Sequence, residues 1–349
     1  MPVYNAACYL DESIRSICAQ TYPGFEFIIR DDGSTDGSRH VLANWAAKDR
    51  RIRPFDGDRL GPAGSSNWVV SASRAPLIAR MDADDIAHPD RLLHQVRTFQ
   101  SARDLVLLGT MVDAVDRDGR PLRPYDFSRL VRSRYSAPFP HASIMFRRDA
   151  FDRIGGYRAS CEYWEDLDLY LRMADIGRIG VLAESLLAYR THTSTRLTLG
   201  RDSVERSLSL RYRCMESYRK GSDYDPLLGD ARAPESAGKL HPKTFVALGS
   251  MELWSGGTPR MLAAILSRGD LRFNLVTFLS VLWAAWARFS PGSLRWTLAN
   301  LVRARNLVFQ RQVVPGQLYE WNPRQCVTSP KEDRRSDYQH HSVGIGGLR

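Results

Sequence analysis

The sequence lacks the features that define several protein classes. Only five of its 349 residues are cysteine, and no two of them form a C-x-x-C pair. This excludes a disulfide scaffold and a cysteine-based zinc site, and it favours a reducing compartment. The first residues, Met-Pro-Val-Tyr-Asn, lack the basic and apolar regions of a secretory signal peptide. We therefore expect a cytoplasmic protein.

Long apolar runs are also scarce. The strongly apolar segment Phe273–Ala287 has about fifteen residues, whereas a membrane-spanning helix needs about 20. Together with Leu294–Phe309 it is interpreted as buried or interfacial helices. Its tryptophans and flanking arginines suit a surface that touches the inner face of an anionic membrane. A plain helical core is the alternative.

Positive charge is concentrated in the C-terminal part. Residues 1–200 carry 27 Lys and Arg against 26 Asp and Glu, whereas residues 201–349 carry 22 against 13. An anionic membrane would suit such a surface, and so would nucleic acid. No RNA- or DNA-binding motif accompanies the charge, so we expect no nucleic-acid partner. A compositional bias towards arginine is the remaining alternative.

Short apolar runs alternate with amphipathic segments in the N-terminal part, which predicts an α/β fold with a mostly parallel sheet. The predicted strands are Phe25–Arg30, Ile52–Phe55, Leu77–Met81, Leu105–Val112, Ile179–Leu182 and Leu186–Arg190. The predicted helices are Ala7–Gln20, a helix capped by Asp36 or Ser38, Ser65–Ser73, Pro89–Gln100 and Glu165–Gly177, with a turn at Leu60–Gly64.

Three regions are expected along the chain. Residues 1–200 form the α/β domain, and residues 201–325 form a helical extension without strands. Residues 326–349, rich in Ser, Asp, Arg, His and Gly, form a disordered tail.

Two acidic clusters follow predicted strands, namely Asp31-Asp32 and Asp82-x-Asp84-Asp85. Ligands of open parallel sheets bind at the carboxyl ends of the strands. Carboxylates there suit a diphosphate only if a divalent cation lies between them, and Mg²⁺ and Mn²⁺ prefer such oxygen ligands. The alternative is that the second cluster merely caps the following helix.

Further motifs accompany these clusters within about residues 1–200. The full series is Pro2-Val3-Tyr4-Asn5, Gln20-Thr21-Tyr22, Asp31-Asp32-Gly33-Ser34, Arg80-Met81-Asp82-Ala83-Asp84-Asp85, Pro89-Asp90-Arg91-Leu92, His141-Ala142-Ser143, Gly155-Gly156-Tyr157, Glu165-Asp166-Leu167-Asp168-Leu169 and Tyr189-Arg190-Thr191-His192. Together these motifs resemble glycosyltransferase family 2, whose members have the GT-A fold and invert the anomeric centre of the transferred sugar.

The resemblance implies a role for each matched residue of the donor site. Pro2 and Tyr4 would line the pocket of the nucleobase. The preferred donor is a uridine nucleotide, whose base is uracil. Asp32 would accept a hydrogen bond from the base, and Asp82 would lie near the ribose. Asp84 would hold Mg²⁺ or Mn²⁺ against the diphosphate of the nucleotide sugar.

The other roles concern the acceptor, expected to be a glycan or a lipid-linked sugar of a bacterial-type surface polysaccharide. Asp166 would be the catalytic base, with Glu165 and Trp164 on the acceptor side. His141 would lie there too, unless it is structural, and Trp164 is alternatively a core residue.

His192 would contact the diphosphate or the metal, unless it is a surface histidine. The competing functions are a sugar nucleotidyltransferase and a non-catalytic scaffold that binds nucleotide sugars or membranes.

The first strand is short. Family members usually carry several apolar residues before the match to Pro2-Val3-Tyr4-Asn5, which would form a full central strand. We expect either a shortened strand or in-frame Val- and Ile-rich codons upstream of the Met1 codon.

Overall fold

The computed structural model describes residues 1–122, 139–161, 164–191, 210–211, 213–228 and 316–324. The predicted α/β class is confirmed. The strands are β1 (Pro2–Val3), β2 (Phe27–Asp31), β3 (Ile52–Asp56), β4 (Leu77–Ala79), β5 (Ile86–Ala87), β6 (Leu105–Val115), β7 (Met145–Arg147), β8 (Arg178–Arg190) and β9 (Leu318–Glu320). The helices are α1 (Ala7–Cys18), α2 (Ser38–Ala46), α3 (Gly61–Ala72), α4 (Arg91–Ser101), α5 (Arg148–Arg153), α6 (Glu165–Ala174) and α7 (Asp225–Leu228).

The strands form two sheets. The first is parallel, with the order β1-β2-β3. The second is mixed, with the order β4-β7-β6-β8-β5, and β9 adds to β8 in the antiparallel sense. Its longest pairing joins β6 and β8 in parallel. The acidic clusters follow β2 and β4, one strand from each sheet.

The helices pack on these sheets through apolar residues at helical spacing. In α1 the side chains of Leu10, Ile14 and Ile17 are buried, and they pack with Val3 and Ile29 of the parallel sheet. The second sheet has its own core, built from β6, β7, β8 and α6. The periodicity that predicts α1 therefore marks the face that the helix buries.

Several predicted boundaries are wrong. The turn expected at Leu60–Gly64 is the first turn of α3, which begins four residues earlier than predicted. Proline is tolerated at that position, and the carboxylate of Asp32 accepts from the backbone N–H of Gly61 at 3.0 Å. The two strands expected between Ile179 and Arg190 are one strand, β8, with an irregular register against β6.

Segments beyond residue 200 join the same core. Tyr218, Tyr224 and Trp321 are buried in the cluster that contains α6 and β8. Strand β9 corrects the expectation that no strand follows residue 200. The core of the α/β domain thus continues beyond the predicted boundary. His192, Phe273–Ala287, Leu294–Phe309 and the predicted tail after residue 325 lie outside the described residues.

Within the described residues, no helix is both long enough and apolar enough to cross a membrane.

We expect Trp321→Ala to destabilise the α/β domain strongly. Trp321 is 3% exposed, and its ring centroid lies 6.0 Å from that of Phe139 and 6.4 Å from that of Tyr170. Truncating a buried tryptophan costs about 3–5 kcal/mol, measurable as a lower midpoint of urea unfolding. The matched control is Arg324→Ala, which removes an exposed ion pair with Asp175 and should cost less than about 1 kcal/mol. Equal, small effects would show that the segment does not belong to this core.

Candidate functional site

Three carboxylates converge in the loop that follows β4. Oxygen atoms of Asp82, Asp84 and Asp85 lie within 4.8 Å of one another. Asp82 and Asp84 are half-buried, whereas Asp85 is only 1% exposed. Like charges this close repel one another, so the loop needs compensating charge or a proton.

The effect of this repulsion is clearest at Asp85. Its Oδ1 atom accepts from the backbone N–H of Arg190 at 2.8 Å. Its Oδ2 atom is buried and has no hydrogen-bond partner within the described part of the chain. Burial raises the pKa of the Asp85 carboxyl well above its usual value, and the charges of Asp82 and Asp84 raise it further. A cation beside this loop would therefore stabilise the ionised form.

Arg190 fixes the loop from the end of β8. It is 2% exposed, and its Nε donates to the backbone carbonyl of Asp84 at 2.8 Å. Its Nη1 donates to the carbonyl of Arg117 at 2.7 Å, and its Nη2 donates to the carboxylate of Glu12. The guanidinium also lies over the ring of Tyr9. One side chain thus joins the acidic loop to β8, to α1 and to the turn after β6.

Arg80 lies at the start of the loop, two residues before Asp82. Its guanidinium forms an ion pair with the carboxylate of Asp82, and its side chain is 11% exposed. The buried guanidinium of Arg91 also interacts electrostatically with Asp82 and Asp85. The three close carboxylates and the orphaned Oδ2 of Asp85 fit a divalent cation with oxygen ligands.

Asp32 organises the loop before α3. It is 4% exposed and accepts from the backbone N–H of Leu60 at 2.8 Å and from Ser65 Oγ at 2.6 Å. Arg30 of β2 also donates to it. Protein groups engage both carboxylate oxygens, and the predicted contact with a nucleobase remains a prediction.

Tyr4 lies just after β1 and is 43% exposed. The guanidinium of Arg59 stands 3.7 Å from its ring centroid. The chain then turns through Asn5, which has a φ of 48° and accepts from the Thr35 N–H at 2.8 Å. The loop after β2 thereby fixes the turn that follows Tyr4. Pro2 of β1 is half-buried and pairs with β2, so Pro2 and Tyr4 lie at the edge of the sheet where the donor pocket is predicted.

The predicted base, Asp166, lies in the first turn of α6. It is half-buried, and its Oδ1 accepts from the Leu167 N–H at 2.7 Å. A carboxylate at a helix N-terminus interacts favourably with the helix dipole. Its neighbour Glu165 is 2% exposed, so it is far less accessible to an acceptor than Asp166.

A buried network anchors this end of α6. Asp168 is fully buried and accepts from the Tyr224 hydroxyl at 2.9 Å and from the Arg172 guanidinium. Arg158 pairs with Asp225 and lies 3.7 Å from Asp168. The segment around residue 224 therefore holds α6 two residues from Asp166.

The remaining predicted acceptor-side residues lie deeper. Trp164 is 1% exposed and belongs to the hydrophobic core, so its ring offers no open platform to a sugar, and the core interpretation fits. His141 is 9% exposed, and its Nε2 lies 2.7 Å from the hydroxyl of Tyr157. This contact fits a structural role for His141.

Tyr157 lies near both the acidic loop and the first turn of α6. Burial raises the pKa of its hydroxyl, which also experiences the charges of Arg80, Glu165, Asp166 and Asp82. Its backbone is fixed by Asn67, whose Oδ1 accepts from the Tyr157 N–H at 2.8 Å. Asp82 of the acidic loop and the carboxylates of Glu165 and Asp166 thus lie near the same buried hydroxyl.

Sequence reasoning assigned no role to Arg190 or Tyr157, although both lie in matched motifs. An arginine at a strand end suggests a surface residue, and its burial depends on contacts with α1 that are distant in sequence. For Tyr157 the available signal is the preceding pair Gly155-Gly156. Both glycines have positive φ, and a Cβ at Gly156 would lie 2.6 Å from Asn67 Oδ1.

We expect Mn²⁺ to raise the melting temperature of the wild-type protein by several degrees. A ligand at about 100 times its Kd stabilises the folded state by about 2.7 kcal/mol. Asp84→Asn should abolish most of this shift, because it removes a carboxylate from the cluster. The control Asp113→Asn changes an exposed carboxylate of β6 and should keep the shift. Equal shifts in both variants would place the cation elsewhere.

Comparison with known proteins agrees with this arrangement. The family model for Glycosyl transferase family 2 matches residues 1–155. Putative glycosyltransferase EpsE of Bacillus subtilis is 34% identical over 201 residues, which are 54% of this chain and 71% of EpsE. O-antigen biosynthesis glycosyltransferase WbnJ of Escherichia coli is 28% identical over 222 residues, which are 61% of this chain and 84% of WbnJ.

A solved structure supports the fold. Mannosyltransferase PcManGT from Pyrobaculum calidifontis, in complex with GDP-Man and Mn²⁺, superposes with a TM-score of 0.52 and 17% sequence identity over 82% of each chain. At that identity the likeness concerns the fold alone. Together with the identity to EpsE over most of that protein, these matches show that the chain belongs to glycosyltransferase family 2 and is a glycosyltransferase with the GT-A fold.

Proposed function

We propose that the protein transfers one sugar from a nucleotide diphosphate donor to a glycan or lipid-linked acceptor, with inversion at the anomeric carbon. The observation that carries this proposal is that the carboxylate of Asp82, in the acidic loop, and the carboxylate of Asp166 lie near the same residue, Tyr157. Burial raises the pKa of the Tyr157 hydroxyl, and the charges of Asp166 in α6 and of Asp82 raise it further, so both carboxylates lie near it. An activating base and a diphosphate site are the two parts that a single displacement requires.

The donor would lie across the ends of β1, β2 and β4. Tyr4 offers an exposed ring on which a nucleobase can stack, and we propose that this base is the uracil of a uridine nucleotide. Pro2 would line the same pocket, with Asp32 fixing the edge of the base and Asp82 near the ribose. Arg59 stands over Tyr4, so either its guanidinium covers the base or it moves when the base binds.

The cation would be Mg²⁺ or Mn²⁺, held by Asp84 with the neighbouring carboxylates. When bound, such an ion offsets the charge that develops on the departing diphosphate. Arg190 and Arg80 keep the carboxylates in place before the ion arrives, so little rearrangement is needed on binding. His192 would lie beyond the end of β8, two residues after Arg190, and we propose it as a further contact of the diphosphate or the ion.

Asp166 would accept the proton of the acceptor hydroxyl. The acceptor oxygen forms the new bond to the anomeric carbon while the bond from that carbon to the diphosphate oxygen breaks. The proton moves to Asp166, and the leaving diphosphate takes the electron pair of the broken bond. Attack from the face opposite the leaving group inverts the configuration. Since Glu165 is buried, we assign it to shaping the acceptor side rather than to proton transfer.

The biological setting that we propose is synthesis of a bacterial-type surface polysaccharide. WbnJ is named for O-antigen biosynthesis and is similar over 84% of its length. A lipid-linked acceptor would suit an enzyme in the cytoplasm, attached peripherally to the inner face of the membrane. The basic excess of residues 201–349 is consistent with attraction to anionic lipid.

We expect Asp166→Asn to lower kcat by about 10²-fold or more, because the amide keeps the shape but does not accept the proton. Donor binding, followed by calorimetry with UDP and Mn²⁺, should change little. The matched control Asp152→Asn alters an exposed carboxylate of α5 and should keep full turnover. The substrates are a radiolabelled panel of UDP- and GDP-sugars with a glycan and a lipid-linked acceptor. Turnover by Asp166→Asn at the wild-type rate would remove Asp166 from the mechanism.

A further inference from the structure

Strand β2 contains a buried arginine, Arg30, which has no part in the mechanism proposed above. It is 4% exposed, and an arginine is almost never buried without partners. Its Nη1 donates to the carboxylate of Asp32 and, at 2.9 Å, to Ser65 Oγ, and its Nη2 donates to the carbonyl of Asp58 at 2.7 Å. One guanidinium thus joins the end of β2, the loop before α3 and α3 itself.

The surroundings of this guanidinium leave it little freedom. Its Cζ lies 5.7 Å from the ring centroid of Trp68, and the Trp68 ring meets that of Phe55 edge-on at 4.9 Å. At Gly57 a Cβ would overlap the guanidinium, so the chain passes this group without a side chain. The ion pair between Arg30 and Asp32 therefore has a fixed geometry.

The hydrogen bonds of Asp32 leave one acceptor position open. Within the described residues its Oδ1 accepts from Arg30, from Ser65 Oγ and from the Leu60 N–H, whereas its Oδ2 accepts from the Gly61 N–H alone. The two oxygens of a carboxylate share about four lone-pair sites, so the spare capacity lies at Oδ2. An ionised carboxylate accepts hydrogen bonds and donates none. A ligand that meets Oδ2 must therefore present a donor.

The same ion pair fixes the residue that covers Tyr4. Arg59 lies between Asp58, whose carbonyl accepts from one partner of the pair, and Leu60, whose N–H donates to the other. The Arg59 guanidinium stands 3.7 Å from the Tyr4 ring centroid. The ring on which the base is proposed to stack and the carboxylate proposed to meet its edge thus depend on one buried contact.

We propose that Arg30 makes the nucleobase pocket selective for a base with a protonated ring nitrogen, by holding the open oxygen of Asp32 in one place. This inference rests on the proposed function, which places the base between Tyr4 and Asp32. Arg30 acts through Asp32 and is a positioning residue.

The two pyrimidine bases differ at the edge that meets Asp32. The ring N3 of uracil carries a proton that Oδ2 can accept, whereas the ring N3 of cytosine is itself an acceptor and repels a carboxylate. The donor of cytosine is its exocyclic amine, one position further along the ring. A carboxylate fixed by Arg30 does not follow that shift, so the pocket rejects cytidine nucleotides.

The test measures binding of UDP, GDP and CDP, each with Mn²⁺, to the full chain by calorimetry. Arg30→Lys keeps the charge but replaces the planar fork by a point charge. Gly57→Ala keeps Arg30 and displaces its guanidinium with one methyl group. Because these variants disturb the same group by different means, either one decides the question if the other folds poorly. The matched control is Arg53→Met, which removes another guanidinium of the parallel sheet, paired with Glu26.

We expect the wild type to bind UDP about 100-fold more tightly than CDP, and both variants to lower this ratio about tenfold or more, as the loss of a hydrogen bond to a charged group does. The loss should fall on UDP, while the affinity for CDP stays the same or rises because the freed carboxylate can reach the cytosine amine. Arg53→Met should keep the wild-type ratio.

Equal losses for UDP and CDP in both variants would show that Arg30 only supports the fold and would overturn the proposal. Equal binding of the two nucleotides by the wild type would also overturn it. Preference for GDP, lost in the same variants, would support the role of Arg30, because N1 of guanine also carries a proton, and would replace only the uracil assignment. Transfer from a radiolabelled nucleotide sugar, measured on the wild type, separates the two proposals. Transfer without selectivity for the base overturns the role of Arg30 alone, whereas absence of both nucleotide binding and transfer overturns the proposed function with it.

Discussion

The site depends on one buried guanidinium. Arg190 holds the carbonyl of Asp84 and the carboxylate of Glu12, while its backbone N–H holds Asp85. These partners come from the acidic loop and from α1, which are distant in sequence from the end of β8. Only an arginine presents so many donors in one plane. Together with the ion pair between Arg80 and Asp82, this fork holds the loop that carries the three mutually repelling carboxylates.

The second constraint is burial, which distinguishes the carboxylates that anchor helices from those that remain accessible to ligands. Asp84 and Asp166 are half-buried and remain accessible to ligands. Both carboxylate oxygens of Asp32 and of Asp168 accept hydrogen bonds from protein groups. Asp32 holds the N-terminus of α3 beside Tyr4, and Asp168 holds α6 below Asp166. The same residue type therefore serves as structural anchor and, in the proposed mechanism, as reactive group, and the number of protein donors around each carboxylate distinguishes the two.

Local pattern predicted the elements that place the carboxylates. Apolar runs ending in aspartates located β2 and β4, and the spacing of Leu10, Ile14 and Ile17 located α1 and its buried face. Contacts between distant segments were not predictable from local pattern. The start of α3 depends on Asp32, which lies 29 residues before the Gly61 N–H that it accepts from, and the burial of Trp321 depends on α6 and β8. The roles of Arg190 and Tyr157 likewise depend on partners that are distant in sequence.

The central claim is that the Arg190-held loop is the cation site for the donor diphosphate. Diffraction from crystals grown with Mn²⁺ and UDP, recorded at the manganese absorption edge, tests it most directly. The account predicts one anomalous peak within coordination distance of the Asp84 carboxylate and of the diphosphate oxygens. Nucleotide bound beside Tyr4 with no peak at this loop, or with manganese at unrelated surface carboxylates, would contradict it.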